Sequence, residues 1–364
     1  MSTAQLAHFT LKGSKPYNED AADVYTFSAP VDAHADTPLY VHVVTVEDGH
    51  GVGGEGLECA NHCKTESKKW MSTLLSRSDW KTMDWTHEST LLTAHLHASY
   101  REVCATKKDY GVERSVDHDI VRKDDKEKSA VHSGSTFSMA LVFPWEGGFR
   151  CVTVQVGDSD IFVNGKCVEC DHSPLSKDEW VRLQSYPEAS RLQLTFNASR
   201  TPLVFLPNGE YNPAYYNAKW GATPWRWDSG ITPTNAKYQP GVYAKSPYGA
   251  RDTTMIGMTR SIGDFYAHAQ GMTTEPHVTV SDHSTCPSVF IASDGAFDTM
   301  NTDNIWVSKK QSLGGVDLST RYAATQQSGG TLVTVVETLV HELNGLAKEL
   351  FGQSDDISVA VLLP

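Results

Sequence analysis

The chain has 364 residues, of which 40% are hydrophobic and 21% are charged, and its formal net charge is −13. These values are ordinary for a globular protein with one large domain or two smaller ones. The negative charge and the lack of a Lys/Arg-rich patch argue against a nucleic-acid partner, since such proteins set basic residues against phosphates. No apolar run approaches the roughly 20 residues that cross a bilayer, so we expect no membrane partner.

The start of the chain and its cysteines indicate an intracellular protein. The first ten residues, MSTAQLAHFT, have neither the basic region nor the apolar core of a secretory signal. The seven cysteines show no regular framework, which is typical of reduced thiols. We therefore expect a cytoplasmic or nuclear location. Cys167 and Cys170 form a CxxC pair that could hold zinc, but the segment is extended and favours a purely structural role.

Strand-like and helical patterns occur in clusters along the chain. The predicted strands are residues 41–46, 136–143, 151–156, 161–163, 278–280, 289–292 and 357–363. The predicted helices are residues 57–75, 88–105 and 332–350, with Leu91, Leu92, His95 and Ser99 on one face of the second. Because strands and helices do not alternate one for one, we predict an α+β fold with two sheets covered by helices.

Two segments differ from the rest in composition. Residues 107–128 mix both charges densely, which predicts a solvated loop. Residues 187–250 hold eight of the 16 prolines and three of the nine tryptophans. So many aromatic residues predict an ordered, irregular insertion that acts as a lid or a docking surface.

Three interpretations fit the segment in which Asp48, Gly49, His50 and Gly51 follow the first predicted strand. Asp-Gly could form only a tight turn, and the glycine pattern G-x-G-x-x-G could form a phosphate cradle. Alternatively, Asp48 could bind a metal and His50 donate a proton. A dinucleotide cradle needs a second strand with an acidic end about 20 residues on, where this sequence has a helical pattern instead. The metal interpretation is therefore favoured.

Acidic residues stand at the ends of several predicted strands. They are Asp48, Asp158, Asp294 and Asp298 after strands, and Glu19, Asp20, Asp355 and Asp356 before strands. Each one alone predicts a turn or a helix cap. If the strands share one sandwich, their ends meet at one edge, and the mutual repulsion of the carboxylates calls for divalent cations. Carboxylate, carbonyl and water oxygens suit Mg²⁺ or Mn²⁺ better than zinc.

Seven short motifs, in this order, resemble those of the metal-dependent type 2C Ser/Thr protein phosphatases (PPM-type phosphatases). They are NED at 18–20, DGHG at 48–51, SGST at 133–136, GDS at 157–159, TRSIGDF at 259–265, ASDGAFD at 292–298 and SDDISV at 354–359. The resemblance implies a single catalytic domain over residues 1–364. It also implies a four-layer α-β-β-α sandwich of two mostly antiparallel sheets flanked by helices, with the metals at one end.

The resemblance assigns metal ligands by their position in the motifs. Asp48 is expected to bridge two Mn²⁺ or Mg²⁺ ions. The carbonyl of Gly49 and, through water, Glu19 would bind one ion, and Asp294 and Asp355 would bind the other. Asp158 and Asp298 match a third, weaker site, and Asp20 and Asp264 match further acidic positions around the metals.

The resemblance also assigns two residues to the substrate. His50 matches the proposed general acid. Lys15 stands where the family has an arginine that grips phosphate, and a lysine binds phosphate without the bidentate geometry of arginine. Glu47 stands where an apolar residue is usual, and we expect it to add negative charge at the rim of the site.

These assignments predict hydrolysis of phosphoserine and phosphothreonine in phosphoproteins by a hydroxide that bridges the metals. We expect a monomer. One alternative is a pseudophosphatase that binds partners through residues 187–250, to which only Lys15 points. Another is a phosphodiesterase or small-molecule phosphatase on the same fold.

Overall fold

The computed structural model describes residues 4–29, 39–51, 54–107, 110–113, 119–122, 131, 133–168, 170, 172, 176–187, 193–195, 208, 210, 241–244, 254–297 and 316–364. The chain divides into two compact units. The first comprises Met1–Leu96, Gly134–Cys170 and Glu275–Pro364, and the second His97–Ser133 and Asp171–Thr274. That the whole chain is one catalytic domain stays a prediction.

The described strands and helices are as follows in chain order. The strands are β1 (Gln5–Leu11), β2 (Ala21–Ala29), β3 (Leu39–Glu47), β4 (Gly49–Gly51), β5 (Tyr110–Glu113), β6 (Asp119–Arg122), β7 (Ser133–Ser135), β8 (Phe137–Trp145), β9 (Gly148–Val156), β10 (Asp160–Val163), β11 (Lys166–Cys167), β12 (Gln193–Thr195), β13 (Gly241–Ala244), β14 (Thr254–Ile256), β15 (Ile262–Gly263), β16 (His277–His283), β17 (Val289–Ala292) and β18 (Ile357–Leu363). The helices are α1 (Glu55–Leu75), α2 (Trp85–Thr106), α3 (Lys177–Leu183), α4 (Phe265–His268), α5 (Val316–Gln327) and α6 (Leu332–Phe351), with a 3₁₀ turn at Asp294–Ala296.

The first unit contains two antiparallel five-stranded sheets. One has the order β1-β18-β17-β10-β11 and the other β16-β9-β8-β3-β2. Their inner faces pack together through apolar side chains, namely Ala22, Val44, Val46, Ala140 and Val142 from the second sheet and Ile161, Ile291, Ala360 and Leu362 from the first. The predicted α+β fold with antiparallel sheets is confirmed.

Helices cover both outer faces of this sandwich. On the first sheet, α6 places Leu332, Val336, Leu339, Val340 and Leu343 in one cluster with Phe290, Val359 and Val361. On the second sheet, α1 packs on β2 and β3 and buries Cys59, Ala60, Cys63 and Met71. The layers are therefore α-β-β-α, as predicted. None of the helices in the described ranges combines the length and apolar character needed to cross a membrane.

The face of α2 that carries Leu91, Leu92, His95 and Ser99 is not the face that α2 buries. Leu91 is exposed, and His95 and Ser99 are only half-buried. The buried positions include Leu92, Leu96, Tyr100 and Cys104, which follow one another at intervals of four residues, and also Trp85, Ser89 and Thr93. Side chains three or four residues apart lie on the same face of a helix, so this face, which includes Leu92, is the buried one.

The second unit contains smaller elements. Strands β12, β13 and β14 form a three-stranded antiparallel sheet. Strands β5 and β6 pair as a hairpin inside residues 107–128, so the predicted solvated loop has regular structure in part, and Ile120 is buried. Most of residues 187–250 lie outside the described residues, and the predicted role of that insertion stays a prediction.

Candidate active site

The second sheet brings three of the predicted acidic residues to one edge. Strands β2 and β3 pair with Ala21 opposite Glu47, so Asp20 and Asp48 flank the same end of this pair. Strand β8 starts and β9 ends at that edge, and Asp158 follows β9 two residues later. The prediction that strand ends meet at one edge is confirmed here.

The first sheet places a second acidic group in the same way. Ala292, the last residue of β17, lies opposite Val359 near the start of β18. Asp294 therefore follows β17 at the edge where Asp355 and Asp356 precede β18. Gly295 is required beside Asp294, because a Cβ atom at this position would lie 2.1 Å from the Asp356 carbonyl oxygen and 3.3 Å from the Asp355 Cβ atom.

Asp356 binds the segment around Gly13 and Glu19 to this edge through hydrogen bonds. Its Oδ1 accepts a hydrogen bond from the backbone N–H of Gly13 at 2.7 Å, and its Oδ2 accepts one from the N–H of Glu19 at 2.8 Å. The side chain is buried, and burial raises its pKa, while the two backbone hydrogen bonds oppose this rise. Sequence analysis gave Asp356 no separate role; the doubled aspartate before a strand was the only signal.

Replacing Asp356 with alanine should destabilise the protein by about 2–6 kcal/mol, because one buried and one partly buried N–H group lose their acceptor at about 1–3 kcal/mol each. Asp356→Asn should cost less, since its amide oxygen can still accept one of the two hydrogen bonds. Urea unfolding in excess EDTA measures both variants without a metal contribution. Asp282→Ala, which removes an exposed partner of Arg150, is the control. An unchanged urea midpoint for Asp356→Ala would contradict this role.

Lys15 forms ion pairs with two predicted metal ligands, Asp355 and Glu19. Its Nζ is 2.9 Å from Asp355 Oδ1 and 3.5 Å from Glu19 Oε2. The preceding residue fixes this loop, since Ser14 N–H donates to the Ser354 carbonyl at 2.9 Å and Ser354 N–H donates to Ser14 Oγ at 2.9 Å. The lysine therefore supplies positive charge to the acidic group. Its predicted contact with substrate phosphate stays a prediction.

Close backbone packing explains the glycines around His50. A Cβ atom at Gly49 would lie 2.2 Å from the Glu19 carbonyl oxygen, and one at Gly56 would lie 2.5 Å from the His50 nitrogen. Gly54, with φ of 90°, is the N-cap of α1 and turns the chain into the helix. Gly49 and Gly56 thus allow a tight approach of backbone segments beside Asp48.

The SGST and GDS motifs are joined to the turns of Asp48 and Asp158 through the hydroxyl group of Thr136. Asp48 N–H donates to Thr136 Oγ1 at 3.0 Å, and Thr136 N–H donates back to the Asp48 carbonyl at 2.9 Å. Thr136 Oγ1 is also 2.7 Å from Ser159 Oγ, beside Asp158. The SGST and GDS motifs therefore lock the turns that carry two predicted metal ligands.

Asp20 is one of the buried carboxylates of the group. It is 5% exposed, and its Oδ2 has no hydrogen-bond partner among the described residues. Burial, followed by the charges of Asp356 and Asp355, raises its pKa well above the ordinary range, although a hydrogen bond with Ser293 opposes the shift. Asp294 adds further negative charge.

These features fit a divalent cation, because uncompensated carboxylate oxygens are the ligands that Mg²⁺ and Mn²⁺ prefer. Within the described ranges, however, no three His, Cys, Asp or Glu side chains already converge as a metal-binding group. Asp298 lies outside the described residues. The individual ligand assignments therefore stay predictions. All seven cysteines lie in the described part of the chain, and none forms a disulfide.

No family sequence model matches the chain, and no curated protein matches it in sequence. Its structure is similar to that of a serine-threonine phosphatase 2C from Toxoplasma gondii, with a TM-score of 0.51 and 14% identity over 98% of each chain. A phosphatase from a pathogenic strain of Toxoplasma gondii gives a TM-score of 0.54 and 15% identity over 99% of this chain and 94% of that one. The chain has the type 2C phosphatase fold. A C. elegans sex determining protein gives a TM-score of 0.53 and 16% identity over 100% of this chain and 65% of that one.

Glu47 does not add charge to the rim of the site, so that expectation is wrong. Its side chain is fully buried, and burial raises its pKa well above the ordinary value. Glu47 lies at the end of β3 with its side chain in the interior, whereas Asp48 follows in the turn.

Asp264, at the end of the TRSIGDF motif, lies in the second unit of the type 2C fold. Its Oδ2 accepts a hydrogen bond from Ser261 Oγ at 2.6 Å, and its N–H donates to the Ser133 carbonyl at 2.9 Å. With φ of 44° it is the N-cap residue of α4. Its expected place around the metals stays a prediction.

The start of the same motif forms a buried ion network that sequence analysis missed. Arg260 donates to Glu179 Oε1 at 3.0 and 2.5 Å, and Thr259 Oγ1 donates to Glu179 Oε2 at 2.7 Å. Arg182 donates to Glu179 Oε2 at 3.1 and 2.7 Å. Burial alone would raise the pKa of Glu179, but Arg260 and Arg182 outweigh it and lower the pKa to about 2.

We expect Glu179→Gln to lower the free energy of unfolding at pH 7 by about 3 kcal/mol, since the pKa of Glu179 is about 2 in the folded state against an ordinary 4.5. This depressed pKa contributes stability that is fully present above pH 4.5 and is lost as the pH falls through about 2. Urea unfolding of both proteins between pH 7 and pH 3 measures the difference, which should shrink with acid. A difference that stays constant with pH would contradict the ionic account.

Proposed function

We propose that this chain is a metal-dependent phosphatase that hydrolyses phosphoserine and phosphothreonine in proteins. The observation that carries the proposal is the acidic group at the sheet edges, where buried Asp20 lies in the field of Asp294, Asp355 and Asp356 with an oxygen lacking a hydrogen bond among the described residues. Two solved structures with the same fold are named phosphatases, which supports this reaction class.

In this proposal the chain supplies oxygen ligands for two Mn²⁺ or Mg²⁺ ions. Asp48, Asp294, Asp355 and the Gly49 carbonyl would bind them directly, and Glu19 through water. Asp158 and Asp298 would serve a weaker third site. When bound, such ions provide Lewis acidity and activate water near neutral pH. Asp356 positions the loop that carries Glu19, and Thr136 positions Asp48.

His50 would protonate the leaving serine or threonine oxygen. An alkoxide is a strong base, so an imidazolium group is an effective proton donor to it. His50 lies in the short strand β4, which is hydrogen-bonded to β7, and its backbone nitrogen packs against Gly56. This packing fixes the backbone from which the imidazole extends. Lys15 would bind a phosphate oxygen as a point charge.

A second candidate, a pseudophosphatase that binds partners through residues 187–250, has one observation in its favour. Lys15 is ion-paired to Asp355 and Glu19, which the enzyme would use for metal. The retention of a carboxylate at every matched metal position favours the enzyme instead.

Hydrolysis of a phosphothreonine peptide with Mn²⁺, with Mg²⁺ and with excess EDTA tests the proposal. We expect turnover in the presence of either metal and none in EDTA. A nucleotide monophosphate assayed in parallel tests the small-molecule alternative, and we expect it to be the poorer substrate. Folded protein that is inactive in every metal would contradict the enzyme and favour the binding protein.

A further inference from the structure

We infer that Lys15 is an internal counter-ion of the proposed metal centre, which competes with divalent cations for Asp355 and Glu19. The inference rests on the proposed function, because it concerns the same carboxylates. It assigns the lysine an effect on metal affinity that is separate from any contact with substrate.

The geometry holds the ammonium group in this position. Lys15 Nζ is 2.9 Å from Asp355 Oδ1 and 3.5 Å from Glu19 Oε2, and both carboxylates are largely buried. The loop on which Lys15 lies is anchored on both sides. Gly13 N–H and Glu19 N–H donate to the two oxygens of Asp356, so the lysine stem starts from a fixed backbone.

The charges of the surrounding residues explain why a cation is needed here. Asp355 and Asp356 precede β18 at the edge where Asp294 follows β17, so several carboxyl groups share this edge. The ammonium group of Lys15 is within 3.5 Å of an oxygen of both Asp355 and Glu19 and so offsets their negative charge. The lysine thus performs, with one charge, part of the neutralisation that divalent ions would perform.

Two opposite consequences follow for a variant without this charge. A divalent ion that binds Asp355 and Glu19 must displace the ammonium group, so the lost ion pairs subtract from metal affinity. Removing the charge should therefore tighten metal binding. It should also lower the stability of the metal-free protein, because the carboxylates then repel one another without compensation. A lysine that only contacts substrate phosphate would produce neither effect.

Isothermal titration of EDTA-stripped protein with Mn²⁺ alone tests the inference. We expect the Kd of Lys15→Met to be about tenfold lower than that of the unmodified protein, as expected when one nearby positive charge is removed. Lys15→Arg keeps the charge and should leave the Kd within about threefold. Lys12→Met is the matched control, because Lys12 lies in the same loop and, among the described residues, its side chain donates to the carbonyl of Pro16.

Thermal unfolding in excess EDTA gives the second readout. Lys15→Met should melt at a lower temperature than the unmodified protein, and saturating Mn²⁺ should remove this difference. If the methionine variant does not fold, Lys15→Gln replaces it in both measurements. An Mn²⁺ Kd that is unchanged or higher after loss of the charge would overturn the inference.

Failure of the proposed function gives a different pattern. If the unmodified protein binds no Mn²⁺, the proposed enzyme is wrong. Mn²⁺ binding that appears only in Lys15→Met would then support the counter-ion role. No binding in either protein would overturn it.

Discussion

Asp294→Asn should lower kcat for a phosphothreonine peptide by on the order of 100-fold or more, because the loss of even an outer partner of a metal ligand typically costs about 10–100-fold. Asp294 follows β17 in a 3₁₀ turn, at the same edge as Asp355. An asparagine fits the same space, so the turn should persist while the charge is lost. Steady-state kinetics over a range of Mn²⁺ concentrations measures the effect.

The control for Asp294→Asn is Asp282→Asn, which removes an equal charge from the exposed partner of Arg150. We expect the control to keep full activity. Circular dichroism and urea unfolding in EDTA establish whether the Asp294 variant is folded. A folded Asp294→Asn protein with undiminished turnover would contradict the two-metal assignment.

His50→Gln should lower kcat for the phosphothreonine peptide by about 10²–10⁴, the range for loss of a general acid. The decrease should be much smaller with p-nitrophenyl phosphate, because nitrophenolate is a weak base and leaves without a proton. The comparison of the two substrates separates proton donation from a general disturbance of the site. Kinetics of the same preparation with both substrates, at saturating Mn²⁺, measures it.

His87→Gln is the matched control for His50, since His87 is an exposed histidine near the start of α2. It should leave both activities unchanged. An equal decrease with both substrates for His50→Gln would mean that His50 positions the site and does not donate the proton.

Much of the sandwich could be predicted from apolar runs. Strands β17 and β18 have the predicted bounds, and they lie side by side in the buried centre of their sheet. Strand β1 was missed because it forms the sheet edge and mixes exposed and buried positions without clear alternation. Helix α5 was missed because its sequence, VDLSTRYAATQQ, carries only a weak apolar stripe.

The order of the motifs along the chain predicted which residues belong to the candidate site. It did not predict the contacts that these residues make. The hydrogen bond between Gly13 and Asp356 joins residues 343 positions apart, which no local pattern encodes. The position of Lys15 on Asp355 depends on the same long-range pairing. Glu47 was misplaced because a sequence does not show that a charged residue at the end of a strand points into the core.

The TRSIGDF motif shows a related limit of sequence reasoning. Its order within the chain indicated the fold, but Thr259 and Arg260 contact Glu179, a residue about 80 positions earlier. These contacts stabilise the second unit and involve no predicted metal ligand. Residues of a motif such as Thr259 and Arg260 can therefore identify the fold although they stabilise the structure and bind no metal.

The most direct test of the two-metal account is anomalous diffraction at the manganese edge from crystals grown with Mn²⁺. The account predicts two peaks about 4 Å apart, bridged by Asp48, with Asp294 and Asp355 on one of them. It also predicts that Lys15 Nζ has moved away from Asp355. Crystals at saturating Mn²⁺ without a peak at Asp48, or with Lys15 still paired to Asp355, would contradict the account.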